Sequence, residues 1–269
     1  MKIWMLGSGS NGNAILIECD GSRLLVDCGF GTRTLAARLR TIGVAPESID
    51  GCLLTHEHHD HLKGAAAAAR RWGWGIYATP GTARAHELRK TPVLTFEAGM
   101  TLDFPRMTVA ATATSHDAND SVGFVVTGRS TGARAGLFYD LGCVTRRVAK
   151  ACEFLDILVL ESNHDDEMLR YGPYPPFLQA RIASRVGHLS NREAARFART
   201  AITREVNHLV LAHLSENCNT PGVALEGMRA AVGGTRFRGT ITVAKQDAVV
   251  GPFVPGARRA EAPTQYSLF

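Results

Sequence analysis

One short loop carries four residues of the types that bind metals, and no other feature of the sequence limits the fold as much. His56, His58, Asp60 and His61 fall within six residues, between a predicted apolar strand and a predicted Ala-rich helix. Imidazole nitrogens and carboxylate oxygens suit zinc, manganese or iron. Alternation places His56 and His58 on one side of an extended loop, whereas Asp60 and His61 lie at the turn into the helix and can face a second ion. This spacing predicts a metal site rather than a solvated His-rich loop.

The loop lies within a pattern of short strands and helices that predicts a layered α/β fold. Two strand-rich halves, each flanked by helices, favour a four-layer αββα sandwich. The predicted strands cover residues 2–6, 14–19, 23–27, 50–55, the region of Tyr77, 93–96, 107–114, 122–127, 135–139, 157–160, 209–212 and 241–243. The predicted helices cover residues 32–41, 62–72, 145–152, 176–185 and 191–203. We expect one domain over residues 1–253 and a flexible Pro/Ala/Arg-rich tail over 254–269.

The spacing Thr-His-x-His-x-Asp-His at residues 55–61 resembles the signature of the metallo-β-lactamase fold superfamily. Three later residues, His116, Asp140 and His213, each follow a predicted strand in the order typical of that family. The resemblance implies two divalent metal ions. It implies that one ion is bound by His56, His58 and His116, the other by Asp60, His61 and His213, and that Asp140 bridges both. Asp27 also matches a family position, either as a carboxylate that orients a ligand or as an ordinary turn-forming residue.

A glycine-rich segment at residues 7–12, Gly-Ser-Gly-Ser-Asn-Gly, fits the pattern G-x-G-x-x-G, yet we reject a dinucleotide site there. Such a site needs a helix that begins at the loop and points its amino end at the pyrophosphate. A strand-like segment follows instead, and no lysine makes the loop a P-loop. We predict a hairpin loop whose small residues, Ser10 and Asn11, either contact a phosphate through backbone amides or form a plain turn.

Two clusters in the second half indicate a phosphodiesterase. Glu-Ser-Asn-His-Asp at 161–165 follows a predicted strand, and His-Leu-Ser-Asn at 188–191 opens a predicted helix. The progression resembles the phosphodiesterase branch of the superfamily, which includes the ribonuclease Z-type enzymes. It implies that His188 contacts the scissile phosphate or the leaving group, with packing at the helix start as the alternative. His164 is expected either to contact phosphate or to lie in a surface loop.

The combination of motifs is similar to the YycJ (WalJ) family, which is associated with nuclease activity on DNA. Besides the two clusters, it includes Ser-x-Ser-x-Gly-Asn at 8–13 and Ala-His-Leu-Ser-Glu-Asn-Cys-Asn at 212–219. Only 73 positions (213 − 140) separate Asp140 from His213, which leaves no room for the large insertion of β-CASP nucleases. The sequence has no long basic, Gly-rich arm, so transfer-RNA 3′ processing is the weaker expectation.

Charge and cysteine usage are compatible with a cytoplasmic protein that binds a polyanion. The net charge is +5, which permits such a partner without proving one. Arg181 and Arg185 share one predicted helical face, as do Arg192, Arg196 and Arg199, and these faces form either a basic track for a phosphate backbone or ordinary solvated surfaces. No apolar run is long enough to cross a membrane. The six cysteines include no C-x-x-C pair, which indicates reduced thiols.

A short segment of the predicted tail suggests a protein partner. Residues 265–269, Gln-Tyr-Ser-Leu-Phe, are similar to the pentapeptide that bacterial DNA-processing enzymes use to dock on the sliding clamp. In that peptide Gln265 would form hydrogen bonds while Leu268 and Phe269 would fill an apolar pocket. The alternative is that Leu268 and Phe269 fold back on the protein's own surface.

These patterns together predict a binuclear metal-dependent phosphodiesterase, a DNA exonuclease acting in DNA repair or processing. Asp60 is expected to orient the attacking water, and His188 to donate a proton or hydrogen bond to the leaving oxygen. One alternative is a small-molecule hydrolase of thioesters, lactones or cyclic phosphodiesters with the same ligands. Another is a non-enzymatic binding protein associated with a clamp. Metal identity, DNA versus RNA and strand polarity stay open at this point.

Overall fold

Two mixed seven-stranded sheets form the centre of the molecule. The computed structural model describes residues 1–202 and 205–256. The first sheet contains β1 (Lys2–Gly7), β2 (Ala14–Cys19), β3 (Ser22–Val26), β4 (Gly51–Leu53), β5 (Gly75–Ala78), β6 (Val93–Thr95) and β14 (Val250–Phe253). The second contains β7 (Thr101–Asp103), β8 (Met107–Ala113), β9 (Val122–Gly128), β10 (Arg134–Phe138), β11 (Ile157–Glu161), β12 (His208–Ala212) and β13 (Thr240–Val243). Their orders are β14-β1-β2-β3-β4-β5-β6 and β13-β12-β11-β10-β9-β8-β7.

Helices cover the outer face of each sheet. They are α1 (Thr32–Thr41), α2 (His59–Leu62), α3 (Ala65–Trp72), α4 (Pro80–Ala83), α5 (Arg146–Ala151), α6 (Asp166–Arg170), α7 (Pro176–Ile182), α8 (Asn191–Ala201) and α9 (Pro221–Val232), with 3-10 turns at Pro46–Ser48 and His86–Leu88. Leu35 and Leu39 of α1 pack on the first sheet. Phe197 of α8 and Met228 of α9 pack on the second. The order of layers is therefore helix, sheet, sheet, helix, as the sequence predicts.

The main core lies between the two sheets. Alternate residues of β8, namely Met107, Val109 and Ala111, are buried there, as the two-residue period of a strand requires. Phe124 of β9 meets Phe96 with ring centroids 6.0 Å apart. Each fully buried large side chain of this kind contributes roughly 1.5–3 kcal/mol to the free energy of folding, so this core stabilises the two sheets.

Parallel pairing brings several strand ends to one edge of the sandwich. In the first sheet β3 and β4 are parallel. In the second, β10, β11 and β12 are parallel. The two groups of carboxyl ends meet, because the hydroxyl of Tyr139 after β10 donates to the carboxylate of Asp27 after β3 at 2.8 Å. Loops from both halves of the chain therefore converge at this edge.

The structure corrects several predicted elements. The single helix predicted at 62–72 is wrong, because α2 and α3 are separate. The chain breaks at Gly64, whose N–H donates to the carbonyl of Cys28 and where a Cβ would lie 1.9 Å from the carbonyl oxygen of Phe30. The helix predicted at 176–185 ends at Ile182. Five of the numbered elements were not predicted at all: β7, β14, α4, α6 and α9.

The glycine-rich segment forms a hairpin loop, as expected. It connects the antiparallel strands β1 and β2, so no helix begins there. The loop contacts the second half of the molecule, because Ser8 Oγ accepts a hydrogen bond from the backbone N–H of His213 at 2.8 Å. The backbone N–H of Asn11 donates to Oε1 of Gln246 at 2.8 Å.

The remaining expectations concern the cysteines, membrane-spanning helices and the C-terminal tail. All six cysteines, each within the described ranges, are free thiols. Across residues 1–202 and 205–256, no helix has the length and apolar composition needed to cross a membrane. The first residues of the predicted tail contact the second sheet, since the carbonyl oxygen of Val254 lies 3.0 Å from Nε2 of His208 in β12. Gln265, Leu268 and Phe269 lie outside the described residues.

Candidate metal centre

Three histidines converge on one point at the shared edge of the sheets. His56 and His58 lie in the loop after β4, and His116 follows β8. Nε2 of His116 lies 3.2 Å from Nδ1 of His58, and the ligand atoms of all three rings lie within 4.8 Å of one another. Ring nitrogens grouped at this distance are suited to binding one metal ion.

A second group lies beside the first. It comprises Asp60 and His61 at the start of α2, and His213 after β12. Oδ2 of Asp60 is 3.2 Å from Nε2 of His61 and 3.3 Å from Nε2 of His213. These three donors also fall within 4.8 Å of one another. The loop and α2 thus contribute to both groups, as their spacing suggested.

Asp140 lies between the two groups. Its Oδ2 is 3.2 Å from Nε2 of His61, and its Oδ1 is 3.5 Å from Nε2 of His213 and 3.8 Å from Nε2 of His116. The side chain is almost fully buried. One carboxylate therefore faces donors of both groups, which is the position a shared ligand needs.

Two buried polar atoms show that the cluster is suited to cations. Nε2 of His56 and Oδ2 of Asp140 are buried, and neither has a hydrogen-bond partner among the residues that the structure describes. Such orphaned atoms are costly in a folded protein unless something binds them. Both point into the cluster of nitrogen and oxygen donors, so the residues fit divalent metal ions.

The pKa values of His56 and Asp140 favour the metal-binding forms of these two side chains, whereas at His61 and His213 neighbouring carboxylates, Asp140 first, outweigh burial and raise the pKa. Burial lowers the pKa of His56, and neighbouring imidazoles lower it further, which leaves the ring neutral. Burial alone would raise the pKa of Asp140, but the surrounding histidines, His213 first, hold it well below its usual range. Neutral imidazoles and ionised carboxylates are the ligand forms of these residues.

Asp27 fixes the orientation of the ligand rings from behind. It is fully buried, and its Oδ2 accepts hydrogen bonds from His61 Nδ1 at 2.7 Å, Thr55 Oγ1 at 2.8 Å and the Tyr139 hydroxyl at 2.8 Å. Because Thr55 Oγ1 donates to Asp27, it can accept from Nδ1 of His56, 2.9 Å away. In the neutral form of each histidine, Nε2 then carries no proton and is available to a cation. Of the two expectations for Asp27, the orienting one describes these contacts.

The backbone turns sharply where three of these residues leave their strands. Asp27, Asp140 and His213 have φ values of 60°, 55° and 55°. This left-handed region is uncommon for residues other than glycine, with asparagine, aspartate and histidine the most frequent exceptions, and it costs free energy that the surrounding structure must offset. Each residue comes at or just after the end of a parallel strand, so the turn points its side chain at the centre instead of along the sheet.

Asn13 is a contact that the sequence analysis did not single out. Its Nδ2 donates to Oδ2 of Asp60 at 3.2 Å and lies 3.1 Å from Nε2 of His61. The backbone N–H of Asn13 donates to the carbonyl of Asp60. Gly29 permits this close packing, since a Cβ there would lie 1.7 Å from the Asp60 carbonyl oxygen. The only hint in the sequence was that Asn13 belongs to the same Ser-x-Ser-x-Gly-Asn motif as Ser10 and Asn11.

His188 lies at the mouth of the centre, held by Glu161. Nδ1 of His188 donates to Oε1 of Glu161 at 2.7 Å and is 3.4 Å from Oδ1 of Asp140. Burial lowers the pKa of His188, but the carboxylate of Glu161 outweighs it and raises the pKa to about 9. The backbone N–H groups of Leu141 and Leu189 donate to the other oxygen of Glu161. Glu161 therefore fixes the ring of His188 by one edge and leaves Nε2 for another partner.

A cavity of about 200 Å³ opens beside this ring. Its lining comprises His58, Asp117, Leu178, Arg181, Ile182, Gly187 and His188. Asp117 directly follows His116 and accepts a hydrogen bond from Nε of Arg181 at 2.5 Å. Because α7 supplies Leu178, Arg181 and Ile182, one wall of the cavity comes from a helix far from the ligand loop in sequence.

Of the three residues expected to contact substrate, His164 is buried, whereas Ser10 and Asn11 are exposed. His164 is only 2% exposed, and its Nδ1 has no hydrogen-bond partner in the described ranges, so the surface-loop alternative is wrong and contact with phosphate stays a prediction. Ser10 and Asn11 are exposed in the hairpin loop. The side chain of Asn11 donates to Glu216 at 3.1 Å, and Lys63 Nζ donates to its carbonyl oxygen at 2.8 Å.

The comparison with known proteins agrees with this architecture. A family model described as "Beta-lactamase superfamily domain" matches residues 22–214. Exodeoxyribonuclease YycJ of Bacillus anthracis is 34% identical over 225 residues, which are 82% of this chain and 84% of that protein. Exodeoxyribonuclease WalJ of Streptococcus pneumoniae serotype 2 strain D39 is 34% identical over 239 residues, 83% of this chain and 85% of that protein.

A solved structure extends the agreement to the fold. The metallo-β-lactamase fold protein YhfI from Bacillus subtilis has a TM-score of 0.69 and 20% sequence identity, covering 93% of this chain and 99% of that one. At this identity the likeness concerns the fold alone. The predicted αββα sandwich of the metallo-β-lactamase type is confirmed.

Proposed function

This chain belongs to the β-lactamase superfamily and, within it, to the family of YycJ and WalJ, and we propose that it is a metal-dependent exodeoxyribonuclease. One observation carries the proposal. Side chains with metal-binding donors converge in overlapping groups that share members, and the imidazole of His188 beside them is fixed by the buried carboxylate of Glu161. A hydrolytic site of this kind, in relatives that are named exodeoxyribonucleases, supports cleavage of a phosphodiester in DNA.

We propose that the centre holds two divalent ions, of zinc, manganese or iron. His56, His58 and His116 would hold one, Asp60, His61 and His213 the other, and Asp140 both; the orphaned atoms of His56 and Asp140 support this assignment. When bound, such ions supply an acidified water as nucleophile and positive charge against the phosphate oxygens. The donor set alone does not distinguish the three metals.

The chain's own residues then position the reacting groups. Asp60 is held by Asn13 through one carboxylate oxygen, so we assign it the orientation of the attacking water. His188 keeps Nδ1 on Glu161, and its Nε2 can donate to the leaving oxygen. General acids placed in this way contribute typically about 10²–10⁴-fold to a rate.

The test is a substrate panel with metal-reconstituted protein. We expect mononucleotide release from end-labelled DNA, and labels at either end report the polarity of degradation. Single- and double-stranded DNA and RNA are assayed beside thioesters, lactones and cyclic phosphodiesters. Hydrolysis of the small esters without any cleavage of DNA would overturn the proposal in favour of a small-molecule hydrolase. A protein that retains no metal after careful purification would favour a binding protein.

We further propose that residues 265–269 dock on the sliding clamp. Support comes from the sequence of the peptide alone, with Gln265, Leu268 and Phe269 in the matching positions. Truncation before Gln265 is expected to abolish binding to purified clamp in a direct titration. Cleavage of short DNA in the absence of clamp should not change. Undiminished clamp binding by the truncated protein would contradict this proposal.

A further inference from the structure

We propose that α5 and the loops beside it form a subsite for the sugar–phosphate backbone of DNA, in which Arg146 and Arg147 bind a phosphate beyond the one that is cleaved. The inference rests on the proposed nuclease function and adds to it a place where the strand is held outside the metal centre. Its basis is a second, basic cavity that adjoins the loops carrying two of the proposed metal ligands.

The second cavity has a volume of about 350 Å³, larger than the one beside His188. It is lined by Ala113, Thr114, Thr145, Arg146 and Arg147. Within residues 1–202 and 205–256, this lining supplies two cations and no carboxylate. In the cavity beside His188, by contrast, the cation Arg181 is paired with Asp117. Uncompensated positive charge in a cavity attracts anions, and the substrate of the proposed reaction is a polyanion.

Arg146 and Arg147 have guanidinium groups that the rest of the described protein leaves free. Both are exposed in the first turn of α5, and within the described ranges neither side chain forms a hydrogen bond or an ion pair. Val148 anchors the helix, since it is fully buried against the second sheet. Guanidinium groups bind phosphate oxygens through paired N–H donors, so this turn can take up a phosphate without breaking a contact of the folded protein.

The second cavity adjoins the loops that carry two of the proposed metal ligands. Thr114, in its lining, lies two residues before His116, a span of at most about 7 Å along the chain. The backbone N–H of Gly142, in the loop that follows Asp140, donates to the carbonyl of Ser115 at 2.6 Å. The two ligand-bearing loops are therefore joined to each other beside the cavity, which places it near the phosphate that would react.

A third arginine lies where the two cavities meet. The hydroxyl of Ser115 donates to the carbonyl of Arg185 at 2.7 Å, and a Cβ on Gly142 would lie 2.3 Å from the same carbonyl oxygen. Gly187, two residues further on, lines the cavity beside His188. The segment from Arg185 to Gly187 thus connects the two cavities, and the side chain of Arg185 is exposed. Positive charge spread from one cavity to the other suits the repeated charges of a phosphate backbone.

The test replaces single phosphates of the substrate with neutral methylphosphonates, starting at the linkage next to the one that is cleaved. For metal-loaded wild-type protein, we expect kcat/KM for release of the first nucleotide to fall roughly tenfold at the linkage that α5 holds, the lower end of what a hydrogen bond to a charged group contributes. In Arg146→Gln/Arg147→Gln the same replacement should cost nothing further, because the cations that the phosphate would meet are gone. Arg146→Lys/Arg147→Lys should retain part of the dependence, since it keeps both charges.

Arg70→Gln/Arg71→Gln is the matched control. Arg70 and Arg71 are also adjacent exposed arginines of a helix, but α3 packs on the first sheet through Ala65 and Ala68. This variant should show the wild-type dependence on each linkage. A wild-type dependence in Arg146→Gln/Arg147→Gln would overturn the inference and leave the nuclease function standing. If the wild-type protein cleaves no DNA, the proposed function is wrong and the subsite falls with it.

Discussion

The two walls of the active-site cavity are built in opposite ways. In the wall that carries His56 to His61, His56 and His61 are buried and hydrogen-bonded from behind, with Asp27 accepting three hydrogen bonds on one oxygen. The opposing wall is α7, whose cavity residues Leu178 and Ile182 are only half-buried and whose Phe177 and Arg181 project into solvent. We call the group of His56, His58, Asp60, His61, His116, Asp140 and His213 the cage. The open wall opposite it is α7.

The difference separates the chemistry of the site from its choice of substrate. Ligands must be held within a few tenths of an ångström to bind a cation well, and burial with hydrogen bonds provides that rigidity. A polymer must enter and leave, which requires accessible side chains that make modest, reversible contacts. We therefore expect substitutions in the cage to change metal content and those in α7 to change substrate use.

The largest effect should come from Asp140→Ala. This carboxylate faces donors of both groups, so its removal leaves two sets of imidazoles without a shared anion. We expect DNA cleavage to fall below detection and metal content, measured by plasma mass spectrometry, to drop. A variant that keeps its full metal content and activity would contradict the role of Asp140 in the cage.

His188→Ala should separate turnover from metal binding. Because His188 is held by Glu161 at the mouth of the centre, we expect its loss to lower kcat by roughly 10²–10⁴-fold while the metal content stays at the wild-type level. Multiple-turnover cleavage of end-labelled DNA at saturating substrate concentration measures kcat. Loss of metal, or unchanged turnover, would each show that His188 is not the general acid.

Asp27→Asn should weaken metal binding although Asp27 is not itself one of the proposed metal ligands. Changing the partner of a metal-binding histidine typically costs roughly 10–100-fold in metal affinity, and competition with a chelator measures it. Asp20→Asn is a suitable control, since Asp20 is also an aspartate at positive φ (49°) but is exposed in the β2–β3 turn. Equal metal affinity in the two variants would mean that Asp27 is a turn residue only.

The smallest effect is expected from Arg181→Gln on stability. An exposed ion pair is worth about 0–1 kcal/mol, so loss of the contact with Asp117 should change the free energy of unfolding in urea by no more than that. Asp27→Asn, which leaves buried donors unsatisfied, should cost about 1–3 kcal/mol. A larger loss of unfolding free energy for Arg181→Gln than for Asp27→Asn would contradict the claim that the buried contacts behind the cage stabilise the protein more than the exposed contacts of α7.

The fold was predictable where local sequence decides structure. Both ends of α1 (Thr32–Thr41) were predicted correctly, because Gly43 and Pro46 stop its apolar pattern. The twelve residues of α9 were missed because Gly222 and Gly227 interrupt the pattern, although Ala224 and Met228 are buried at helical spacing. β14 was missed because it contains Gly251 and Pro252; as the edge partner of β1 it can tolerate a proline.

The residues of the site were likewise predictable only where the local sequence identifies them. The metal-binding residue types in the loop could be recognised because they are adjacent in sequence, and His116, Asp140 and His213 because each follows a strand. The contact of Asn13 with Asp60 spans 47 residues, and that of Arg181 with Asp117 spans 64. No local pattern specifies such pairs, because each joins a loop and a helix that are distant in sequence and meet only in the folded protein. The cage was therefore largely predictable from sequence, whereas the open wall required the structure.

The central claim is that this cage makes the chain a DNA-degrading enzyme, and a metal titration tests it most directly. Chelator-treated protein is reloaded with manganese or zinc in steps, and release of mononucleotides from end-labelled single-stranded DNA is followed at each step. We predict no release without metal and a plateau at about two ions per chain, as expected of a two-metal site. Release that is unaffected by chelation, or a fully loaded protein that leaves DNA intact, would contradict the account.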